Sequence, residues 1–291
     1  MKRNTRWAAF PYPNESFHYS PAALKKKWNR LHLGDKEPYP SRQFLENLYR
    51  TEPGVADSIP DFDSDFETLS ERTLEAWRCY HAGAFEQAAQ IGLSLGWFGQ
   101  AVANKATAIY ATYLEKDAPT RLRLFQESME RAERARELMP RHANSHYLYA
   151  YALGRHSQNS SVLEALAQGL AGKIKDALDR TLELEPEHAE AHMAVATYHA
   201  EIIDKVGSML GGLTYGASKD LAMQHYEKAL ELLPHSAIAR IECANGLLML
   251  FGNGRLERAT ELYIEASKLE PWDAMERLDV ELAKSRLEED A

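Results

Sequence analysis

Three groups of residues have the types and spacing that chemistry would need. Gly92-Leu93-Ser94-Leu95-Gly96 has the glycine, serine and glycine of a nucleophile turn, whose serine must project from a sharp strand-to-helix bend. Residues 85–91 have helical spacing instead, and no acid and histidine stand in the expected context, so the segment reads as a glycine-terminated helix. Gly169-Leu170-Ala171-Gly172-Lys173 fails as a phosphate loop, because Ala167 occupies the first glycine position and Ile174 stands where Ser or Thr is needed. His142-x3-His146 and His188-x3-His192 each place two imidazoles on one helical face, a spacing compatible with a transition metal.

Internal comparison gives those histidines another meaning. Four segments superimpose on the prolines Pro140, Pro186, Pro234 and Pro271, each with Leu two residues before the proline and Ala three residues after it. The pattern describes a helix that ends, a proline that stops it, and a new helix that starts. His142 and His188 fall in the slot held by Ser236 and Asp273, the position that caps the next helix. His146 and His192 share a slot with Arg240 and Arg277. This covers all eight residues and leaves no third ligand, so no metal, no cofactor and no catalytic residue are expected.

The elements that carry these residues are helical. From residue 68 onward the chain is rich in Ala, Leu and Glu with apolar residues at helical spacing and hardly any alternation of the strand type, which places it in the all-α class. Ala222-x3-Tyr226-x2-Ala229 and Ala259-x3-Tyr263-x2-Ala266 precede two of the prolines. This arrangement resembles the second helix and terminal proline of the tetratricopeptide repeat (TPR) family. The copies before Pro186 (Ile174, Leu178, Thr181) and Pro140 (Ser128, Ala132, Ala135) are looser, and Gly83-Ala84-Phe85 marks an earlier turn.

The resemblance implies a TPR-like helical-hairpin solenoid of about five hairpins over residues 68–272, closed by a C-terminal capping helix over 273–291. It also implies a concave groove, lined by the first helix of each hairpin, that holds a protein or peptide partner. Carried over by spacing, the groove residues are Asn144, Tyr147, Tyr151, Arg155, Met193, Thr197, Ile241 and Asn245, of which Tyr147 and Tyr151 equally suit a core stripe. Equivalent positions of stacked repeats form a ladder, here the basic residues His146, His192 and Arg240. Two repeats carry extra chain, 156–173 and 207–218, apolar enough to require burial; the alternative function is a pocket, closed by these inserts, for a small hydrophobic ligand.

Residues 1–67 are different. They hold seven of the twelve prolines, interleaved with aromatic residues, and allow short helices over 20–33 and 41–50 with extended chain elsewhere. This arm is too aromatic to stand in water, and its acidic run, Asp57, Asp61, Asp63, Asp65 and Glu67, is a complement for the basic ladder. Over the whole chain 34 Lys+Arg against 43 Asp+Glu give a net charge of −9, which disfavours nucleic acid and anionic membranes as partners. Lys25-Lys26-Lys27 is too short a cluster to reverse that. Cys79 and Cys243 match no metal or redox spacing, and neither a secretory leader nor a membrane-spanning run is evident, so a cytoplasmic adaptor or scaffold without membrane insertion is expected.

Overall fold

The computed structural model describes residues 6–56, 64–158 and 169–289, and among them every regular element is helical, with no strand. In the arm, α1 (Pro21–Leu31) and α2 (Arg42–Thr51) form at the two hydroxyl start signals. Ser41 accepts from the Phe44 amide at 3.2 Å, satisfying one of the amides that a helix start leaves open. A single turn, α3 (Pro53–Ala56), stands where extended chain was expected. The remainder runs α4 (Phe66–His81), α5 (Phe85–Ser94), α6 (Gln100–Tyr113), α7 (Ala118–Leu138), α8 (Ala143–Ser157), α9 (Leu170–Leu184), α10 (Ala189–Val206), α11 (Ser208–Tyr215), α12 (Lys219–Leu232), α13 (Ala237–Phe251), α14 (Leu256–Ser267) and α15 (Ala274–Glu289).

Three proline joints share one geometry. Met139, Glu185 and Leu233 precede the prolines and are held outside the helical region, with φ of −128°, −138° and −125°. Three residues further on, the amides of His142, His188 and Ser236 donate back to their carbonyls at 3.1, 3.1 and 3.2 Å. His188 Nδ1 then accepts from the Ala191 amide at 3.0 Å and Ser236 Oγ from the Ala239 amide at 3.2 Å, so both cap the helix that follows. His142 occupies the same place without such a bond.

The chain divides into two compact units. The first gathers Met1–Arg30, Glu37–Asn159 and Asp273–Met275. Within it α5 packs on α4 and α6, α7 packs on α6 and α8, and α6 is buried along nearly its whole length. The arm is part of this core: Leu24 is 0% and Trp28 3% exposed, and the Trp28 ring meets Trp77 edge-on at 5.9 Å. Trp7 stacks on Tyr110 at 4.2 Å, and Phe10 covers the turn at Gly83, whose φ of +83° and lack of space both require glycine. At the far end of α4, His81 Nδ1 lies 2.7 Å from the Asp273 carboxylate, both groups buried.

The second unit gathers Leu31–Lys36, Ser160–Trp272 and Glu276–Ala291. Here α10 packs on α9, α12 and α13, and α14 packs on α13. Its core includes Ile241, Leu247, Leu262, Tyr263 and Val280. Gly246 lies under the Tyr226 ring, so close that a Cβ would overlap it.

Two expectations need correction. The insert over 207–218 forms α11, yet Met209 is 81% and Leu213 84% exposed, and within the helix only Gly211 is buried. The close approach of Gly211 to Ile202 seats one face of this short helix and leaves the opposite, apolar face outside. Of the acidic run, Asp65 caps α4 by accepting from the Thr68 amide at 3.0 Å, so it serves a helix start and not the basic ladder; 57–63 lie outside the described residues. So does most of the other insert, 159–168.

Candidate functional site

The basic ladder is a structural device. His146 Nε2 lies 3.1 Å from the Pro140 carbonyl oxygen, His192 Nε2 lies 3.0 Å from that of Pro186, and Arg240 donates to that of Pro234 at 2.8 Å. Each residue sits in the first turn of α8, α10 or α13 and reaches back to the proline carbonyl of the joint, two residues past the end of the preceding helix. A carbonyl only accepts, so the histidines carry hydrogen on Nε2. Arg240 also pairs with Glu265 at 3.1 Å.

The eight groove residues divide by depth. In the first unit Asn144 is buried, its Nδ2 donating to the Glu37 carboxylate at 2.6 Å, and Tyr147 is 6% exposed. Tyr151 and Arg155 are half-buried on the same helix. The Tyr151 hydroxyl lies 2.9 Å from Thr112 Oγ1, and the Arg155 guanidinium stands 5.3 Å from the Tyr151 ring centre. That pair offers a cation and an aromatic edge at the surface.

In the second unit Met193 and Ile241 are core, at 6% and 1% exposure. Thr197 and Asn245 are half-buried. Thr197 Oγ1 lies 3.0 Å from the Tyr226 hydroxyl and donates to Glu242 at 3.3 Å, while Asn245 Oδ1 accepts from the Tyr263 hydroxyl. Burial pushes the Tyr226 phenol well above its ordinary value, so it stays a neutral donor.

Several polar groups were invisible to spacing. Arg131, in a segment of alternating charge, turns inward and donates to Asn104 Oδ1 at 3.0 Å and Thr107 Oγ1 at 3.2 Å. Asn104 donates onward to Gln100 at 2.9 Å, and Gln100 to Ser145 at 3.3 Å, giving a polar chain through an otherwise apolar helix packing. Its neighbours do form a solvated salt-bridged face, with Arg123–Glu127 at 2.6 Å and Arg134–Glu137 at 2.8 Å. In the second unit His192 Nδ1 lies 2.8 Å from His225 Nδ1. Burial, then the nearby His192 and His199 rings, hold His225 down to about 4; burial also lowers His199. No regularity of the sequence pairs His225 with His192.

Ser94 ends α5, donating to the Ile91 carbonyl at 2.6 Å and accepting from Arg72 at 2.9 Å. Both thiols, Cys79 and Cys243, are buried and pushed up to about 11 by that burial, away from the reactive thiolate form. Among the described residues no cluster of three or more His, Cys, Asp or Glu is placed to hold a metal ion, and no helix is long and apolar enough to cross a membrane.

What the joints and faces define is an all-helical protein built from packed neighbouring helices, with polar and aromatic side chains at half-exposed positions. The family model for regulator of microtubule dynamics protein 1-3 matches residues 99–288, nearly two thirds of the chain, and the chain belongs to that family. No individual curated protein is a significant match. The match corrects the resemblance drawn above: the family model that matches is this one, and no tetratricopeptide model matches. The Ala-x3-Tyr-x2-Ala spacing meets a general demand, small residues where two helices cross closely and a large one beside them, which is not particular to one repeat family.

Proposed function

We propose that the chain is a non-enzymatic cytoplasmic adaptor that contributes to regulating microtubule dynamics by holding a segment of a partner protein. In this reading the helical hairpins stack as a solenoid, and the first helix of each hairpin faces the partner. The observation that carries the reading is the Tyr151–Arg155 pair on α8, half-exposed and prearranged within 5.3 Å, because aromatic and arginine side chains are the usual anchors of protein interfaces. The family description supplies the process. The net charge of −9 favours a basic segment as the thing held.

The test is a microtubule growth and shortening assay in a tubulin-containing cell extract. Added full-length chain changes the rates, and the variant Tyr151→Ala with Arg155→Ala, still folded by circular dichroism at the assay temperature, does not. Equal effects of the two proteins, or no effect of either, contradict the reading.

A further inference from the structure

Two imidazoles in the second unit converge on one point, and the hydrogen bonding around them decides which nitrogen faces it. His192, on α10, donates Nε2–H to the Pro186 carbonyl at 3.0 Å, so in the neutral ring its Nδ1 carries a lone pair. That nitrogen lies 2.8 Å from Nδ1 of His225 on α12, with the two ring centres 5.0 Å apart. In the free pair His225 therefore donates Nδ1–H to His192. A histidine whose second nitrogen is fixed by a backbone carbonyl is the usual outer-shell arrangement of a metal ligand.

We propose that His192 and His225 together form a two-imidazole site for a divalent transition metal of tetragonal preference, copper(II) foremost, with solvent completing the coordination. Two nitrogens at about 2.0–2.1 Å from a metal and at right angles stand about 2.9 Å apart, against about 3.3 Å for a tetrahedral pair. The observed 2.8 Å is the length of the free pair's hydrogen bond, and it lies close enough to the right-angled spacing that the two nitrogens need separate only slightly to share one ion. Imidazole suits copper, nickel and zinc, and copper(II) binds most tightly of the three to a given nitrogen site. Both rings are half-exposed, so the ion has access. Binding moves the His225 hydrogen from Nδ1 to Nε2 through solvent, leaving a neutral ring and no net change in protons. The charged groups acting on His225, Lys175 and Asp179 of α9, are of opposite sign and paired with each other, so they neither repel nor capture the ion outright. This inference is independent of the proposed function.

The test adds copper(II) in substoichiometric steps to the full-length, chelator-treated chain and follows the histidine ring signals by NMR. Paramagnetic broadening begins at His192 and His225, ahead of the other nine of the eleven histidines. Broadening that begins at another pair, such as His142 and His146, or at all rings together, overturns the proposal. In a second measurement His225→Asn loses the tightest copper equivalent while its circular dichroism is unchanged; retention of that equivalent also overturns it. Should the variant not fold, the NMR result on the natural chain decides alone.

Discussion

His192 Nε2 lies 3.0 Å from the Pro186 carbonyl oxygen six residues upstream, and the same contact recurs from His146 to Pro140 and from Arg240 to Pro234. The proline that follows each helix turns its carbonyl into the joint, and the first turn of the next helix supplies the donor. Removing the donor therefore weakens a joint. His192→Ala should cost about 0.5–1.5 kcal/mol for a neutral hydrogen bond, and Arg240→Ala about 1.5–3 kcal/mol for a charged one. Urea midpoints measure both; unchanged midpoints would show the carbonyls to be as well served by water.

Gly246 gives the sharpest steric prediction. A Cβ there overlaps the Tyr226 ring, which is itself 1% exposed and held by Thr197. Gly246→Ala should destabilise the second unit by about 1–3 kcal/mol, although alanine is the better helix former. Calorimetry that finds the variant equally stable would mean the ring has room to move.

Depth separates the inner-face residues, and mutation should reproduce the separation. Ile241→Ala leaves a cavity in a closed core and should cost about 2–5 kcal/mol. Tyr151→Ala removes a half-exposed ring and its bond to Thr112, for about 1 kcal/mol. Comparable losses at the two positions, measured by chemical denaturation, would remove the distinction between core and face.

The arm behaves as core. A chain beginning at Thr68 loses Leu24 and Trp28, two of the most deeply buried side chains of the first unit, and should melt at a markedly lower temperature. A folded product of unchanged melting temperature, seen by circular dichroism, would show the arm to be dispensable.

Acid should act on two histidines before it acts on carboxylates. His225, at about 4, and His199 both lie below the ordinary histidine value, so the folded chain binds fewer protons than the unfolded one. The stability they contribute is complete above about pH 6.5 and is lost as pH falls towards about 4. In chelator-containing buffer the urea midpoint should decline across this range, and His225→Asn should flatten the decline. A midpoint constant from pH 7 to 4.5 contradicts the assignment.

Much of this architecture is legible in the chain itself, and the reason is local. Pro140, Pro186 and Pro234 stop helices through their own backbones, and His188 and Ser236 cap helices through contacts three residues away. Such features need only neighbours in sequence. Spacing also places Tyr147, Met193 and Ile241 on the inner faces of their helices, but a face has depth, and depth depends on what packs above it. The inward turn of Arg131, the Trp28–Trp77 contact and the His192–His225 pair each depend on an element distant in sequence, and no periodicity announces them. The family resemblance went astray for a related reason: alanine and tyrosine at helical spacing report close helix crossing, whichever family the crossing belongs to.

The central claim is that the Tyr151–Arg155 face of α8 holds a partner in microtubule regulation. Co-pelleting of the full-length chain with microtubules from a tubulin-containing extract tests it most directly. The natural chain should appear in the pellet, Tyr151→Ala with Arg155→Ala should remain largely in the supernatant, and Arg134→Ala, on the solvated face of α7, should pellet like the natural chain. Equal pelleting of the natural chain and the double variant, or pelleting by neither, would contradict the account.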